Sequence, residues 1–233
     1  MEIIKGNIFT TQCQTIVNPV NCVGVMGAGL AFECRLRYPE MFEKYVEICK
    51  EGKLKVGLLW LFQSDNKWIL NLPTKNDWKY PSKEEYLIKG LEKFVMTYKE
   101  RGITSIAFPL LGADRGGLPS DVVLDIMKSY LSDLPIEIEI YLYDPTAEDD
   151  LYLQTKQWLL SKSIDELKKS TGLRVNYIEK VISAIQSNKV VQLNQLAGVK
   201  GIGIKTLEAV FKASKETNSK DSTEEAQQSL LGI

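Results

Sequence analysis

Two glycine-rich loops are the segments of this sequence best suited to hold a phosphate. The first contains Gly24, Gly27 and Gly29 and lies between a predicted strand that ends near Pro19 and a helix that begins near Leu30. Glycines let the backbone approach a ligand closely, and a helix N-terminus adds the positive end of its dipole. The loop has neither the GK[ST] of a P-loop nor the GxGxxG dinucleotide fingerprint. It predicts a pyrophosphate site, and the alternative is a turn whose glycines serve packing alone.

The second loop, residues 111–118, reads LGADRGGL and follows a predicted strand that ends at Leu110. A helix is predicted from Ser120. Ligands of open α/β sheets bind outside the carboxyl ends of the strands. Two glycine loops at two such strand ends would form the two walls of one phosphate cleft.

Lys75 is the candidate for chemistry at this cleft. The chain contains no histidine, which excludes Ser-His-Asp catalysis, imidazole general bases and most zinc-hydrolase sites. Lys75 lies in LPTKNDW, directly after an apolar strand, and so near the edge where the loops meet. An amine crowded by apolar groups loses its proton more readily and could attack an opened ribose as a Schiff-base former. The alternative is an ordinary surface lysine.

Acidic and aromatic side chains near Lys75 have two interpretations each. Asp114, in the second loop, could act as the acid partner, or it could shape the turn or bond a ribose hydroxyl. Asp77 could equally polarise a water molecule. Trp78 and Tyr80 could stack on a flipped base, or they could cover the edge of the sheet.

The elements that must position these residues alternate between strands and helices. Several predicted strands are nearly all apolar, as a buried sheet requires. The predicted strands are Glu2–Lys5, Thr15–Val20, Val56–Phe62, Trp68–Leu72, Ser105–Leu110 and Ile136–Tyr143. The predicted helices are Gly29–Arg37, Met41–Glu51, Lys83–Arg101 and Ser120–Leu131. This order predicts an α/β domain in which helices cover a mostly parallel central sheet.

Motifs in this half of the chain resemble the macrodomain family, a three-layer α/β/α fold with a mixed sheet that binds ADP-ribose. The resemblance covers about residues 1–143 and rests on KGN near position 6, on VNPVNCVGVMGAGLA and on PLLGADRGGL. It implies that Asn7 and the backbone of Ile8 contact adenine and that Asn21 lies by the distal ribose. The first loop would cradle the pyrophosphate through Gly24, Val25, Met26, Gly27, Ala28, Gly29 and Leu30. The second would close over phosphate and distal ribose through Gly112, Ala113, Arg115, Gly116, Gly117 and Leu118.

Three further motifs, VGVMGAGLAFECR, YPEMFEKY and NLPTKNDW, are most similar to the DarG group of macrodomains. Members of this group remove ADP-ribose from thymidine bases of DNA modified by a DarT toxin. The resemblance implies a glycohydrolase that uses Lys75, with ADP-ribose as ligand, no cofactor, no metal, ADP-ribosylated DNA as substrate and a DarT-like toxin as counterpart. A non-catalytic ADP-ribose reader and a hydrolase of ADP-ribosylated proteins or metabolites are the alternatives.

The chain changes character after the predicted last strand. Residues 1–150 carry 17 Lys and Arg against 22 Asp and Glu, a net charge of −5, whereas residues 151–233 carry 12 against 8, a net charge of +4. A basic segment on an acidic body is consistent with a polyanion partner or with an ordinary solvated surface. We predict a macrodomain over 1–147, a helical domain over 151–214 and a flexible tail over 215–233.

The helical segment contains a gapless internal repeat with an offset of about 29 residues, which aligns Ile164 with Leu193 and Gly172 with Gly201. The second copy resembles a helix-hairpin-helix motif, whose hairpin offers backbone amides to a DNA phosphate. The resemblance implies that a tandem pair binds DNA through Lys200, Gly201, Gly203, Lys205, Thr206, Gly172 and Arg174. A protein-binding or dimerisation module is the alternative. DarG antitoxins generally carry a different C-terminal domain, so toxin binding by this segment is not implied.

The remaining sequence features concern location. Cys13, Cys22, Cys34 and Cys49 form no CxxC pair and lie among apolar neighbours, which is typical of buried free thiols in a cytoplasmic protein. No apolar run approaches the roughly 20 residues of a membrane helix, and the N-terminus lacks a secretory pattern. We therefore expect a cytoplasmic protein without a membrane partner.

Overall fold

A computed structural model describes residues 1–187 and 189–216 of the chain. The chain divides into two compact units, Met1–Pro145 and Thr146–Ile233. Each unit has its own secondary structure, and the two are described separately below. Residues 217–233, most of the predicted tail, lie outside the described residues, whereas residues 215 and 216 end a helix.

The first unit is built on a six-stranded sheet in the order β1-β6-β5-β2-β4-β3. All neighbouring strands are parallel except β3, which pairs antiparallel with β4 at one edge. The sheet is therefore mixed, as predicted. The strands are β1 (Glu2–Gly6), β2 (Thr15–Asn21), β3 (Trp60–Gln63), β4 (Trp68–Lys75), β5 (Ser105–Pro109) and β6 (Glu137–Tyr143).

Helices cover both faces of this sheet and produce three layers. The helices are α1 (Gly29–Arg37), α2 (Pro39–Lys50), α3 (Glu84–Thr97) and α4 (Ser120–Leu131), and one 3-10 turn spans Ile8–Thr10. Alternate residues of a strand point to opposite faces, so neighbours in β4 enter different cores. Leu70 packs with Phe94 of α3 and Met127 of α4. Ile69 packs with Cys34 of α1 and Tyr45 of α2.

The second unit is helical throughout its described elements. It contains α5 (Asp150–Ser161), α6 (Ile164–Thr171), α7 (Val175–Gln186) and the short α8 (Leu193–Leu196), and residues 204–216 form a further helix, α9. Asp149 begins α5 by accepting the N–H groups of Leu151 and Tyr152, and its other carboxylate oxygen accepts the N–H of Leu193 at 2.7 Å. This one buried carboxylate therefore joins the start of α5 to the start of α8.

Sequence and structure agree on every strand and α-helix of the first unit and differ at some ends; the 3-10 turn Ile8–Thr10 was not predicted. The predicted helices Gly29–Arg37 and Ser120–Leu131 have the same bounds in the structure. The prediction that β3 begins at Val56 was wrong, because residues 56 and 57 form a turn in which Gly57 has φ +84°. The helix predicted to reach Arg101 ends at Thr97 and gives way to turns. The second predicted helix begins earlier, at Pro39, because proline suits the first helical position.

Two of the expectations about location can be compared with the structure. All four cysteines are free; Cys13, Cys34 and Cys49 are buried, whereas Cys22 is only half-buried, a correction to the prediction for that residue. Over the described residues, no helix is both long enough and apolar enough to span a bilayer.

Candidate functional site

The predicted site residues of the first unit gather at one edge of the sheet. β1, β2, β4, β5 and β6 are parallel, so their carboxyl ends share this edge. Asn7 follows β1, Asn21 ends β2 and Lys75 ends β4. The second glycine loop follows β5. Asn21 and Lys75 are aligned partners in neighbouring strands.

The side chain of Asn21 orders the first glycine loop. Its Oδ1 accepts the N–H groups of Val23 at 3.1 Å and Val25 at 3.3 Å, and its Nδ2 donates to the carbonyl of Val25 at 2.6 Å. The hydroxyl of Tyr45 donates to the Asn21 backbone carbonyl at 2.7 Å. Sequence reasoning missed Tyr45, since a tyrosine inside α2 gives no sign that it supports a loop 24 residues earlier. Asn21 therefore shapes this loop, and its predicted contact with ribose stays a prediction.

The first loop presents backbone more than side chains. Ala28 is the N-cap of α1, and an alanine side chain cannot accept the N–H groups of the first turn. Those N–H groups, beginning with Gly29, are therefore available to an anion. Met26, one of the predicted contact residues, is fully buried, so its side chain does not face a ligand.

The second loop is held in a tight turn that requires glycine at position 116. A Cβ added to Gly116 would lie 2.0 Å from the carbonyl oxygen of Gly112, a distance that no side chain can adopt. The N–H of Leu118 donates to the same carbonyl at 3.0 Å, and the N–H of Gly117 donates to Ala113 at 3.0 Å. These contacts define one loop conformation before any ligand binds.

The two glycine loops approach each other across the edge of the sheet. A Cβ built on Gly29, in the first loop, would lie 3.8 Å from Cγ of Arg115 in the second. This is ordinary van der Waals distance. The structure therefore brings together the two loops that the sequence predicts to be walls of one cleft.

Lys75 connects β4 to the second loop. Its Nζ donates to the carbonyl oxygen of Arg115 at 2.6 Å. Burial lowers the pKa of this amine below the ordinary lysine value. Among residues 1–187 and 189–216, no carboxylate forms an ion pair with Lys75. The amine is thus closer to its neutral, nucleophilic form than a solvated lysine.

Asp114 lies in the same loop but faces solvent. Its side chain is 75% exposed, and its carboxylate lies 3.8 Å from Nε of Arg115. The atom of the second loop that reaches Lys75 is the Arg115 carbonyl. Asp77 accepts the N–H of Lys79 at 3.0 Å and so shapes the turn after β4.

The residues predicted to contact adenine lie at the end of β1. Oδ1 of Asn7 accepts the N–H of Phe9 at 3.0 Å and caps the 3-10 turn. Ile8 is buried, so a ligand could meet only its backbone. The predicted adenine contacts stay predictions.

Residues 76–82, which we call the bridge segment, are anchored to both glycine loops. At one end the N–H of Cys22 donates to the Asn76 carbonyl at 3.1 Å, and at the other the N–H of Ser82 donates to the Gly116 carbonyl at 2.9 Å. Sγ of Cys22 also lies 3.5 Å from the carbonyl oxygen of Lys75. Burial raises the pKa of the Cys22 thiol to about 11. The bridge segment therefore links the two glycine loops at the edge of the sheet that carries Lys75.

The second unit holds the glycines of the repeat at the predicted turns. Gly172 ends α6 in the left-handed conformation with φ +68°, and Arg174 precedes α7. Gly201 has φ +89°. Gly203 precedes α9, and a Cβ built on it would meet nothing within 4 Å.

The basic side chains of this hairpin are exposed, but its threonine is not. Lys200 and Lys205 are exposed, whereas Thr206 is 7% exposed, so its side chain does not belong to the surface that the lysines form. Lys180 of α7, which the sequence reasoning missed, lies close to Gly201: a Cβ there would be 2.9 Å from Nζ. A depression of about 560 Å³ between α7 and the hairpin contains Lys180 and Lys200. DNA binding by these residues stays a prediction.

With this geometry in view, the first unit can be compared with known proteins. Residues 17–127 match the family model of the Macro domain. The sheet order, the covering helices and the two glycine loops at one sheet edge agree with that match. The chain belongs to the macrodomain family.

Its relatives include proteins named DNA ADP-ribosyl glycohydrolase. A DNA ADP-ribosyl glycohydrolase of Thermus aquaticus is 34% identical over 149 residues, which are 62% of this chain and 41% of that protein. The solved macrodomain of Mycobacterium tuberculosis DarG is 38% identical with a TM-score of 0.58, over 60% of this chain and 95% of that one. The solved structure of Thermosipho africanus DarTG in complex with ADP-ribose is 32% identical with a TM-score of 0.58, over 61% of this chain and 42% of that one. The chain spans about two fifths of the length of the curated relatives it matches.

Proposed function

We propose that this protein is a glycohydrolase that removes ADP-ribose from ADP-ribosylated DNA. The observation that carries the proposal is the position of Lys75. Its amine lies 2.6 Å from the Arg115 carbonyl of the second glycine loop, and its backbone is paired with Asn21 at the base of the first loop. The similarity to a DNA ADP-ribosyl glycohydrolase supports the substrate. The similarity to a structure that contains ADP-ribose supports the ligand.

The two glycine loops bind the diphosphate of ADP-ribose in this proposal. Backbone N–H groups at the start of α1 face the anion, and the second loop closes over the distal ribose. The diphosphate then fixes the anomeric carbon C1″ beside Nζ of Lys75. Holding reacting groups at such a distance supplies much of a rate enhancement.

Hydrolysis breaks the bond between C1″ and the base, adds the hydroxyl of water to C1″ and leaves a proton on the released base. The neutral amine of Lys75 has two ways to assist this reaction. It can accept the proton of the attacking water and pass it to the base. It can instead attack C1″, open the ribose ring and expel the base, which forms an imine that water then hydrolyses to free ADP-ribose and the amine. Trapping with borohydride distinguishes the routes, because only the imine is reduced to a stable adduct on Lys75.

Comparison of the wild type with Lys75→Ala on an ADP-ribosylated oligonucleotide tests the proposal. We expect the rate to fall at least about 100-fold, the effect of losing an acid-base or covalent group, while calorimetry still detects ADP-ribose binding. Lys75→Arg should be as slow as Lys75→Ala, because a guanidinium keeps the charge but does not lose its proton.

Lys99→Ala is the matched control for this test. Lys99 is exposed and follows α3. Because α3 begins beyond the carboxyl end of β4 and runs back towards the opposite edge of the sheet, Lys99 lies away from the edge that carries Lys75. Equal rates for wild type and Lys75→Ala would contradict the role of the lysine. A wild type that binds ADP-ribose and leaves the modified DNA intact would show a reader in place of an enzyme.

We also propose that the second unit binds DNA through its glycine hairpins and that a DarT-like toxin supplies the modification. The exposed Lys200 and Lys205 beside Gly201 and Gly203 support phosphate binding by the hairpin. The likeness to DarTG supports the toxin counterpart. A gel shift with plain duplex DNA, titrated with salt, tests the first part, because phosphate contacts weaken steeply as salt rises.

A further inference from the structure

The bridge segment presents two aromatic side chains beside the reacting edge. Trp78 is 52% exposed and Tyr80 is 66% exposed. Of the four tryptophans in the chain, Trp78 alone is exposed. About half of Trp78 and two thirds of Tyr80 are therefore accessible to a ligand.

The backbone holds these side chains away from the protein. The N–H of Tyr80 donates to the carbonyl of Asp77 at 3.2 Å, and the Asp77 carboxylate accepts the N–H of Lys79. The segment is thus a turn fixed at its crest by Asp77 and at both ends by the glycine loops. Because the backbone of the turn is fixed, its aromatic side chains stay exposed to water in the folded protein. Exposure of this apolar surface costs free energy, and a ligand that covers it would recover that free energy.

The position of this turn relates it to the reaction. Trp78 is three residues and Tyr80 five residues beyond Lys75, and the ends of the turn are bonded to the loops on either side of that amine. ADP-ribose occupies the loops in the proposed function. The group that C1″ carries, the leaving base, must then lie on the open side of Lys75, where the bridge segment is.

The charge of the turn fits a nucleic acid strand. Nζ of Lys79 lies 5.8 Å from the centre of the Trp78 ring, whereas Lys83, one residue after the bridge segment, is paired with Glu85 at 3.7 Å. The only acid between Lys75 and Lys83 is Asp77, which bonds the backbone of the turn. Aromatic faces interleaved with lysines are the pattern with which proteins bind unpaired bases and their phosphates.

We infer that Trp78 and Tyr80 form the binding surface for the leaving base and that Lys79 binds a phosphate of the same strand. The inference rests on the proposed function and specifies its substrate. A base inside a duplex has both faces covered by its neighbours, so it can stack on Trp78 only after it leaves the helix.

The test uses the full chain and an oligonucleotide of about four nucleotides that carries one ADP-ribose, with free ADP-ribose as the second probe. Trp78→Ala should raise KM for the oligonucleotide about tenfold, as expected for the loss of one base-aromatic stack. Its kcat should stay within about twofold and its affinity for free ADP-ribose should not change. Trp78→Phe should restore most of the loss, and Tyr80→Ala should give a smaller increase in KM.

Met96→Ala is the matched control. Met96 is 75% exposed near the end of α3, at the opposite edge of the sheet, and its removal should leave every parameter unchanged. Thermal melting of Trp78→Ala should match the wild type, since the side chain is exposed. A second comparison places the same modified base in a single strand and in a fully paired duplex, and the single strand should react faster.

Failure of this inference is separable from failure of the proposed function. If the wild type shows no turnover, the glycohydrolase proposal fails, and the affinities for the modified oligonucleotide still test the aromatic surface. Equal affinity and equal KM for wild type and Trp78→Ala would overturn the inference even in an active enzyme. Equal rates on the single strand and the duplex would overturn the requirement for an unpaired base.

Discussion

Both units of this protein place glycine turns before helices, but they constrain those turns differently. In the first unit the turns are bonded to the bridge segment and to side chains of other elements, as the contacts of Asn21 and Tyr45 show. In the second unit the turn around Gly201 is held by local backbone bonds, such as that from the N–H of Ile202 to the Val199 carbonyl at 3.0 Å. The first arrangement fixes the positions of the reacting groups, as catalysis at a single carbon atom requires. The second suits contacts between backbone amides and DNA phosphates, which do not depend on the base sequence.

The difference also appears in the side chains near each turn. Lys75 is partly buried, bonded to a carbonyl and has a lowered pKa. Lys200 and Lys205 are exposed. A buried amine is suited to reaction, and an exposed one to attraction of a polyanion.

Substitution of Gly116 should have the largest effect on this comparison. In Gly116→Ala the new Cβ would overlap the Gly112 carbonyl, so the second loop must change its conformation. We expect ADP-ribose affinity, measured by calorimetry, to fall about 100-fold, which corresponds to about 3 kcal/mol and lies at the upper end of typical single-residue effects.

Gly117→Ala is the control for this substitution. It has open space around the new Cβ and only the strain of φ +78° to accommodate, so its affinity should fall much less. Equal losses in both variants would show that crowding inside the loop does not determine binding.

The pH dependence of the reaction should reflect the burial of Lys75. The amine acts in its neutral form, and burial lowers its pKa. Activity should therefore rise with pH through that lowered pKa and become constant before the ordinary lysine value of about 10.4 is reached. Below the pKa, kcat/KM should fall about tenfold per pH unit. A profile of kcat/KM that keeps rising through pH 10.4 would contradict a desolvated amine.

Substitutions in the hairpin of the second unit should have smaller effects and should act on DNA alone. The new Cβ of Gly203→Ala would have no atom within 4 Å in the folded unit, so the melting temperature should not change. The same Cβ would lie between the hairpin and a DNA phosphate, so affinity for duplex DNA should fall about tenfold. Lys205→Ala should reduce the slope of log affinity against log salt by about one.

Lys212→Ala is the control for the hairpin substitutions. Lys212 is exposed on the same helix and pairs with Glu216, away from the hairpin. For Lys212→Ala, the slope of log affinity for duplex DNA against log salt concentration should match that of the wild type. If Gly203→Ala binds duplex as the wild type does, the hairpin is not the DNA contact, and a protein-binding role for the second unit gains support.

The fold could be predicted from sequence where local signals agree with tertiary contacts. α1 and α4 have their predicted bounds because glycine or proline marks the start and apolar spacing defines the length. β4 was predicted to end at Leu72 and instead continues to Lys75 through Pro73. Proline lacks a ladder donor, and it is tolerated there because β3 pairs only with Trp68–Asn71, which leaves β4 at the edge of the sheet beyond Asn71.

The sequence predicted the loops and the lysine of the candidate site better than the hydrogen bonds that hold them in place. Glycine loops and a strand-end lysine can be identified from spacing, and the structure brings Gly29, Lys75 and Arg115 together. Sequence alone could not show that a carbonyl, and not Asp114, would contact the amine, since carbonyls are common to all residues. It also could not show the bond from Ser82 to Gly116, which depends on how two distant turns meet.

Cys22 is a half-buried thiol at this edge, and its environment affects how the cleft responds to oxidants and alkylating reagents. With a pKa of about 11, only about one molecule in 10⁴ carries the reactive thiolate at pH 7. Iodoacetamide and mild peroxide should therefore modify Cys22 slowly at neutral pH and faster as the pH approaches that pKa.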